Sequence, residues 1–276
     1  MKRVDVSVIF VYYNTPSEIL DAVSSIKKAI NKLSYEIIIV DNASTEKLPE
    51  KIFKIKKIKY IKNKNVGYGL GLNKGAEDAQ GKYLLLANPD LTFERNSIEI
   101  LVNKMETDLT IGIIGPAFLD EKKRIRKVGN NLPEIPDVIF ALSSINNLFP
   151  NNYFSNKYFL KDFDREKEKD IPVLCGACMM VRSEIFRTIK GFDRRFFMYF
   201  EEADICQRVS KTGLRIVYFP NARVTHFVGR SSQNLEWIKK TYEKSRLEFL
   251  RKYNGFIVGS LTEGIIRFIN LPAKYI

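Results

Sequence analysis

The run Leu84-Leu85-Leu86-Ala87-Asn88-Pro89-Asp90 ends an apolar stretch in a carboxylate. A segment apolar on both faces reads as a strand covered on both sides, as in a parallel sheet. The residue before a proline is driven to extended or turn geometry, so the strand is expected to stop near Asn88. Asp90 then stands at the strand's carboxyl end, where open α/β sheets bind their ligands. A bare carboxylate there can hold a divalent cation against a diphosphate. Val40-Asp41-Asn42-Ala43-Ser44 places a second acid, Asp41, at another strand end. It can accept hydrogen bonds from a ribose or a base, or cap a helix. Between these acids, Gly67, Gly69, Gly71 and Gly75 open a helix. Such residues let backbone amides approach an anion or let a helix pack closely on a sheet. Their spacing is neither that of a P-loop nor that of a dinucleotide fingerprint. Cys175 and Cys178 have no second ligand pair, since Cys206 and His226 are single residues far along the chain, so the cysteines read as structural.

The elements that must position these residues alternate. Val4 to Val11 is an apolar strand, and Pro16-Ser17 begins a helix with Ile19, Leu20, Val23, Ile26 and Ile30 at helical spacing. Strands follow at Ile37 to Val40 and Ile58 to Ile61, a helix over Gly69 to Ala79, a strand at Leu84 to Ala87, a helix at Ser97 to Met105 and a strand at Ile111 to Ile114. This rhythm predicts a doubly wound, mostly parallel sheet. From Gly129 to Asp170 the chain mixes Pro, Asn and aromatic residues and reads as loops with short helices. A strand is expected over Val173 to Val181, a helix over Glu201 to Lys211 ending at Gly213, a strand over Ile216 to Phe219, and a charged amphipathic helix over Trp237 to Tyr253.

The chain has 276 residues, 45% hydrophobic and 28% charged, the composition of a globular protein. No apolar stretch is long enough to span a bilayer. The first strand begins too near Met1 to leave room for a signal peptide, and three cysteines without a framework suit a reducing compartment, so a cytoplasmic location is expected. The net charge of +13 gathers in two stretches, Lys51 to Lys64 and Lys122 to Lys127. These are either solvated lysines that discourage edge pairing or a surface for anionic membrane lipid. Nucleic acid is not expected, because no recognised binding motif accompanies the charge.

The ordered series of motifs resembles glycosyltransferase family 2, inverting enzymes of the GT-A fold. It comprises an apolar strand running to Tyr13-Asn14, Val40 to Ser44, Asn65-Val66-Gly67 with Asn73 and Gly75, and Asn88-Pro89-Asp90. It continues with Gly176-Ala177, Val181-Arg182, Gly191-Phe192-Asp193, Phe196 to Tyr199, Glu201-Glu202-Ala203-Asp204, and Val224-Thr225-His226 with Gly229 and Ser231. The second set is most similar to rhamnosyltransferase-type members. The resemblance implies one GT-A domain over 1–255, with a nucleotide-sugar half at 1–115 and an acceptor half at 116–255, and an amphipathic tail at 256–276. It implies that Tyr13, Asn14, Asp41, Asn65, Gly67, Asn73, Asn88 and Asp90 bind the nucleotide sugar. Asp90 stands at the position of the family's metal-binding acid, with Asn88 replacing the first acid of the usual Asp-x-Asp, and His226 aligns with a residue that meets the metal or the diphosphate. The cofactor implied is Mg²⁺ or Mn²⁺. The base falls in the acidic pair Glu201-Glu202, aligned at Glu202 where most members have aspartate, with Glu201 and Asp204 in reserve. Acids in a first helical turn also suit the helix dipole, and Asp204 can pair with Arg208 one turn on.

The implied function is metal-dependent inverting transfer of rhamnose or a similar sugar. The donor would be a dTDP- or UDP-sugar, and the acceptor a cell-surface glycan or lipid-linked molecule. The alternatives are a degenerate binding module and a nucleotide-sugar pyrophosphorylase, although the latter's Gly-rich stretch is replaced here by Tyr12 to Pro16. In the tail, helical spacing gathers Ser260, Glu263, Arg267 and Asn270 on a narrow polar face opposite Ile257, Leu261, Ile265, Phe268 and Ile269. Packing of the apolar face against protein is the default. A membrane interface, on the inner face of the plasma membrane, is the other expectation.

Overall fold

The computed structural model describes residues 4–55, 57–227 and 235–271. Gly229 and Ser231 of the motif series, and residues 272–276 of the tail, lie outside the described residues. The first half contains β1 (Val4–Tyr12), α1 (Pro16–Ala29), β2 (Tyr35–Asn42), α2 (Glu50–Phe53), β3 (Ile58–Asn63), α3 (Tyr68–Glu77) and β4 (Gly81–Ala87). It continues through β5 (Leu91–Phe93), α4 (Ser97–Thr107) and β6 (Ile111–Leu119). The expected stretch of short helices holds α5 (Ile135–Ala141), α6 (Ile145–Leu148) and α7 (Tyr153–Tyr158), followed by β7 (Lys169–Asp170). Then come β8 (Cys178–Arg182), α8 (Ser183–Thr188), α9 (Glu201–Ser210), β9 (Arg215–His226), α10 (Leu235–Asn254) and α11 (Phe256–Ile269).

These strands form one sheet in the order β3-β2-β1-β4-β8-β6-β9-β5, with β7 against β9. β1 to β4 are mutually parallel, and β6 pairs β9 in parallel, while β8 and β5 run against their neighbours. The mostly parallel doubly wound sheet is therefore present, closed by two C-terminal helices. Side-chain alternation along β1 feeds two cores. Val6, Val8 and Phe10 meet α1 and α4 on one face, and Ile9 and Val11 meet α3 and α9 on the other. α1 starts at Pro16, whose fixed φ and missing N–H suit a first helical turn.

Three strand limits differ from expectation. β6 and β9 run past Ile114 and Phe219 because their prolines sit at a register shift, where Pro116 faces Phe219 but Ala117 faces Arg223. A bulge frees the proline from the ladder, so the strand continues. The strand expected from Val173 begins only at Cys178. Gly176 and Ala177 turn instead, and Ala177 O accepts from Asn88 N at 2.9 Å. That turn lies across the end of β4, beside Asp90.

Candidate active site

In the order β3-β2-β1-β4 the succession of strands reverses between β1 and β4, and ligands settle at such a switch, outside the carboxyl ends of the strands. Asp41, Asn14 and Asp90 all come to this edge. Asp41 Oδ1 accepts Ser44 N at 2.8 Å and its Oδ2 accepts the Tyr60 hydroxyl. Burial, and then that bond, raise the Tyr60 phenol above its ordinary value. A cavity of about 470 Å³ opens here, walled by Asp41, Lys47, Phe53, Tyr60, Lys62 and Asn63. Tyr13 is half exposed at the same edge.

Several expected ligand contacts are engaged within the protein instead. Asn14, at φ 52, uses its side-chain oxygen to accept Thr45 N at 2.8 Å and Glu46 N at 3.0 Å. Asn73 donates to Phe192 O at 2.9 Å and accepts Phe192 N at 2.8 Å, clamping α3 to the segment before α9. These bonds engage the Asn14 oxygen and both ends of the Asn73 amide and hold the edge in shape. Gly67 has φ 93, and a Cβ there would lie 2.1 Å from Phe197 O. Only glycine fits, and the result is that Tyr68 N reaches Phe197 O at 2.9 Å. The later glycines serve packing, since a Cβ on Gly75 would lie 2.4 Å from Ile9 Cγ2. Asn42 secures the loop, donating to Gly67 O at 2.9 Å. Asn65 is exposed, with its side-chain oxygen 3.3 Å from Gly67 N.

The second group of acids is differently placed. Asp90 is buried, and its Oδ1 has no hydrogen-bond partner among the described residues. His226 Nε2 lies 3.3 Å from that oxygen, out of line for a hydrogen bond, on a ring packed against Phe118. The register Leu91↔His226 between β5 and β9 sets this approach. Across from them, α9 begins with the acidic pair. Glu201 is buried, and its Oε2 has no partner among the described residues. Burial raises both carboxyls above the ordinary value, and for Glu201 the charge of Glu202 adds to it. Tyr68 feels the charge of both groups. Its hydroxyl donates to Gly176 O at 3.2 Å, and burial followed by the charges of Glu201 and Asp90 raise its own proton affinity. Glu202, Asp90 and the cation Arg126 likewise all act on Cys175, whose thiol burial pushes up to about 11. Cys206 is pushed up to about 12 by burial, so both stay protonated thiols, as a structural role requires.

Asp204 is fully buried and saturated. Arg208 Nε donates to it at 2.8 Å, the Tyr253 hydroxyl at 2.7 Å, and the Lys252 ammonium also donates. Just before the pair, Tyr199 and Phe200 hold φ 72 and 64. Left-handed backbone costs a non-glycine residue roughly 1–2 kcal/mol, and α10 holds it in place. Tyr242 packs edge-on against Tyr199 at 5.5 Å and against Phe200 at 5.1 Å, while Ser245 Oγ donates to Met198 O at 2.7 Å. Sequence reading missed Tyr68, Asn42, Lys252 and Tyr242. The first two lie inside motifs already singled out, whereas the α10 residues carry no local signal.

The donor set at Asp90 fits a divalent cation. A buried carboxylate oxygen without a donor, beside an imidazole nitrogen, suits Mn²⁺ or Mg²⁺. Among the described residues no cluster of three or more His, Cys, Asp or Glu is placed to hold one. Asp90 and His226 would therefore need the ligand's own oxygens and water to complete the shell.

The sequence model described as Glycosyl transferase family 2 matches residues 7–190. The chain belongs to this family. A second model, described as the N-terminal domain of galactosyltransferase, matches residues 162–230. The family-2 chain is 25% identical over 210 residues to the N-acetylglucosaminyl-diphospho-decaprenol L-rhamnosyltransferase of Mycobacterium tuberculosis, covering 71% of this chain and 67% of that one. It is 24% identical over 222 residues to rhamnosyltransferase WbbL of Escherichia coli, covering 76% and 81%. Among solved structures, that of GalNAc-T7 with UDP, GalNAc and Mn²⁺ superposes with a TM-score of 0.62 at 16% identity, covering 96% of this chain and 55% of that one. The mannosyltransferase PcManGT from Pyrobaculum calidifontis, in complex with GDP-Man and Mn²⁺, superposes with a TM-score of 0.61 at 13% identity, covering 98% and 74%. These place the fold in the GT-A class. The protein is a glycosyltransferase of the rhamnosyl- and hexosyltransferase-like part of the family, which sets aside the pyrophosphorylase alternative.

Proposed function

We propose that this glycosyltransferase moves rhamnose or a similar hexose, with inversion, from a dTDP- or UDP-sugar to a cell-surface glycan or lipid-linked acceptor at the inner face of a membrane. The carrying observation is two buried acids, each with an oxygen that has no partner among the described residues: Asp90, beside His226, and Glu201, next to Glu202 at the start of α9. The nucleoside lies in the cavity at Asp41 and Tyr60, flanked by Tyr13, with Asn65 and Asn88 along the path to Asp90. Asp90 and His226 would hold Mn²⁺ or Mg²⁺ there. When bound, the cation neutralises charge on the departing diphosphate.

The remaining chemistry belongs to the chain. Glu202 takes the proton from an acceptor hydroxyl as its oxygen bonds to the anomeric carbon. The bond from that carbon to the diphosphate oxygen breaks, and the diphosphate leaves with the electron pair. Burial raises both carboxyls, and the charge of Glu202 adds to the rise at Glu201, so the two acids share one site at the start of α9. Asp204 is a positioning residue, fastening α9 to α10 through Lys252 and Tyr253. In support, the relatives named above include two rhamnosyltransferases, one of them acting on a decaprenol-linked diphosphate, and both superposed structures were obtained with a sugar nucleotide or nucleotide and Mn²⁺.

Calorimetric titration with UDP, dTDP and GDP, each with and without Mn²⁺, tests this. One nucleotide should bind in a metal-dependent way, and Asp90→Asn should weaken it at least tenfold, about 1.4 kcal/mol. Absence of binding to all three would overturn the donor-site reading and favour the degenerate module.

A further inference from the structure

Helix α11 is built inside out. Its spacing separates a polar face from an apolar one, and a surface helix ordinarily turns the apolar face to the core. Here the side that carries Glu263 is buried. Glu263 is 2% exposed and receives Arg246 Nε at 2.8 Å and Arg246 Nη2 at 3.0 Å. Gly259 sits where α10 crosses, and a Cβ there would lie 2.5 Å from Arg251 N. Thr262 and Ile266 are buried on the same side. At the last turn, Asn270 Oδ1 accepts Ser144 N at 2.7 Å, and Ser144 Oγ donates to Ile269 O at 2.9 Å. The expected packing of the apolar face against protein is thus reversed: Ile257, Leu261 and Phe268 are 72%, 64% and 76% exposed. Rotating the helix to bury them would separate Arg246 from Glu263, leaving unpaired buried charge, which is strongly unfavourable.

We infer that this outer face of α11, extended by the tip of α6, seats the protein on an anionic lipid bilayer. The inference supplies the membrane side of the lipid-linked acceptor and rests on that reading. The Ser144 bonds bring α6 against the end of α11, and there Leu148 and Phe149 are exposed beside an open groove of about 490 Å³. Both helices thus offer exposed apolar side chains, joined at Ser144.

Charge selects lipid over a second copy of the chain. The only acid on α11, Glu263, is internal, whereas Arg267 is more than half exposed. Arg251 lies along the edge, stacked over Phe256 at 4.4 Å. Two chains each carrying +13 would bring like charges together at this face, while an anionic leaflet attracts them, at about 1 kcal/mol per basic residue near its surface. α11 is about 21 Å long at 1.5 Å per residue, and no helix among the described residues is long and apolar enough to cross a membrane. It fits lying in the interface plane. The surface is joined to the acidic pair through α10, since Tyr242 packs on Tyr199 and Phe200 while Arg246 holds α11. A lipid-anchored acceptor sugar would thus be presented to a site at fixed height above the bilayer.

The test is co-sedimentation of the full chain with phosphatidylcholine–phosphatidylglycerol vesicles and with phosphatidylcholine alone. The expected result is binding to the anionic vesicles, with Leu261→Glu/Phe268→Glu reducing partition at least tenfold and Arg267→Glu producing a smaller, salt-sensitive loss. Both substituted apolar side chains face solvent, so the melting temperature should hold, and nucleotide titration of the same variants should match the parent. Equal sedimentation of parent and double variant would overturn the proposal. So would a parent that ignores vesicles but forms a dimer, in sedimentation velocity, that the double variant splits. Vesicle binding by a parent that binds no nucleotide would leave this surface standing and remove the function proposed above.

Discussion

The edge formed by β1, β2 and α3 and the edge formed by Asp90, His226 and α9 are both lined with polar side chains, yet they treat them oppositely. Asn14, Asn42 and Asn73 are engaged with loop backbone, and Asp41 with Ser44 and Tyr60. Among the described residues Asp90 Oδ1 and Glu201 Oε2 have no partner, although both are buried. Satisfied polar groups rigidify a surface, and unsatisfied ones carry an unfavourable free energy that a ligand or a proton can relieve. On the function proposed above, the difference would separate residues that shape the site from residues that react there. Within one acidic cluster the same division holds: Asp204 has three donors, while its neighbours along α9 have none comparable.

Breaking the unsatisfied side should give the largest effect. Glu202→Gln is expected to lower kcat by about 10²–10⁴-fold, the worth of a general base, with nucleotide affinity unchanged in calorimetry. Turnover equal to the parent would remove Glu202 from the chemistry and erase the contrast. Disturbing the satisfied side should instead cost stability. Asn73→Ala leaves the Phe192 backbone N–H and C=O without partners, so denaturant unfolding should show a loss of about 1–3 kcal/mol, with the donor KM near that of the parent. A donor KM raised tenfold at unchanged stability would place Asn73 on the ligand after all.

The smallest effect is a pH slope. Both acids of the pair have folded values raised by burial above the ordinary 4.5. Above pH 4.5 the folded chain therefore retains protons that the unfolded chain has released. The linkage slope is negative there, so stability falls as pH rises from 4.5 through the raised values, and the contribution is gone above them. Glu201→Gln should flatten that slope in urea titrations at a series of pH values and raise stability at neutral pH. An unchanged slope would mean that the pair is hydrated rather than buried.

The chain's alternation of apolar runs and helical stripes was enough to place Asp41, Asp90 and the Glu201-Glu202 pair at element ends, because strand and helix periodicity are local properties. Pro116 and Pro220 misled that reading, since a proline looks the same in a bulge as at a strand's end. The start of β8 was misplaced for a related reason: Val173 to Val181 is apolar throughout, and only the turn that meets Asn88 divides it. In the tail, the pattern correctly separated the two faces of α11 but could not say which one faces inward.

What the sequence determined by itself is therefore the family and the order of the longer elements, without the short α2, β5, β7 and α8. Tertiary structure alone decided which of the polar groups is satisfied and which is not. Asn73 meets Phe192 across 119 residues, Asp204 meets Lys252 across 48, and Arg246 turns α11 over by taking Glu263 from a neighbouring helix. Hydrogen bonds and ion pairs act over a few ångströms whatever the distance along the chain. Their pairing exists only once the fold has brought the partners together.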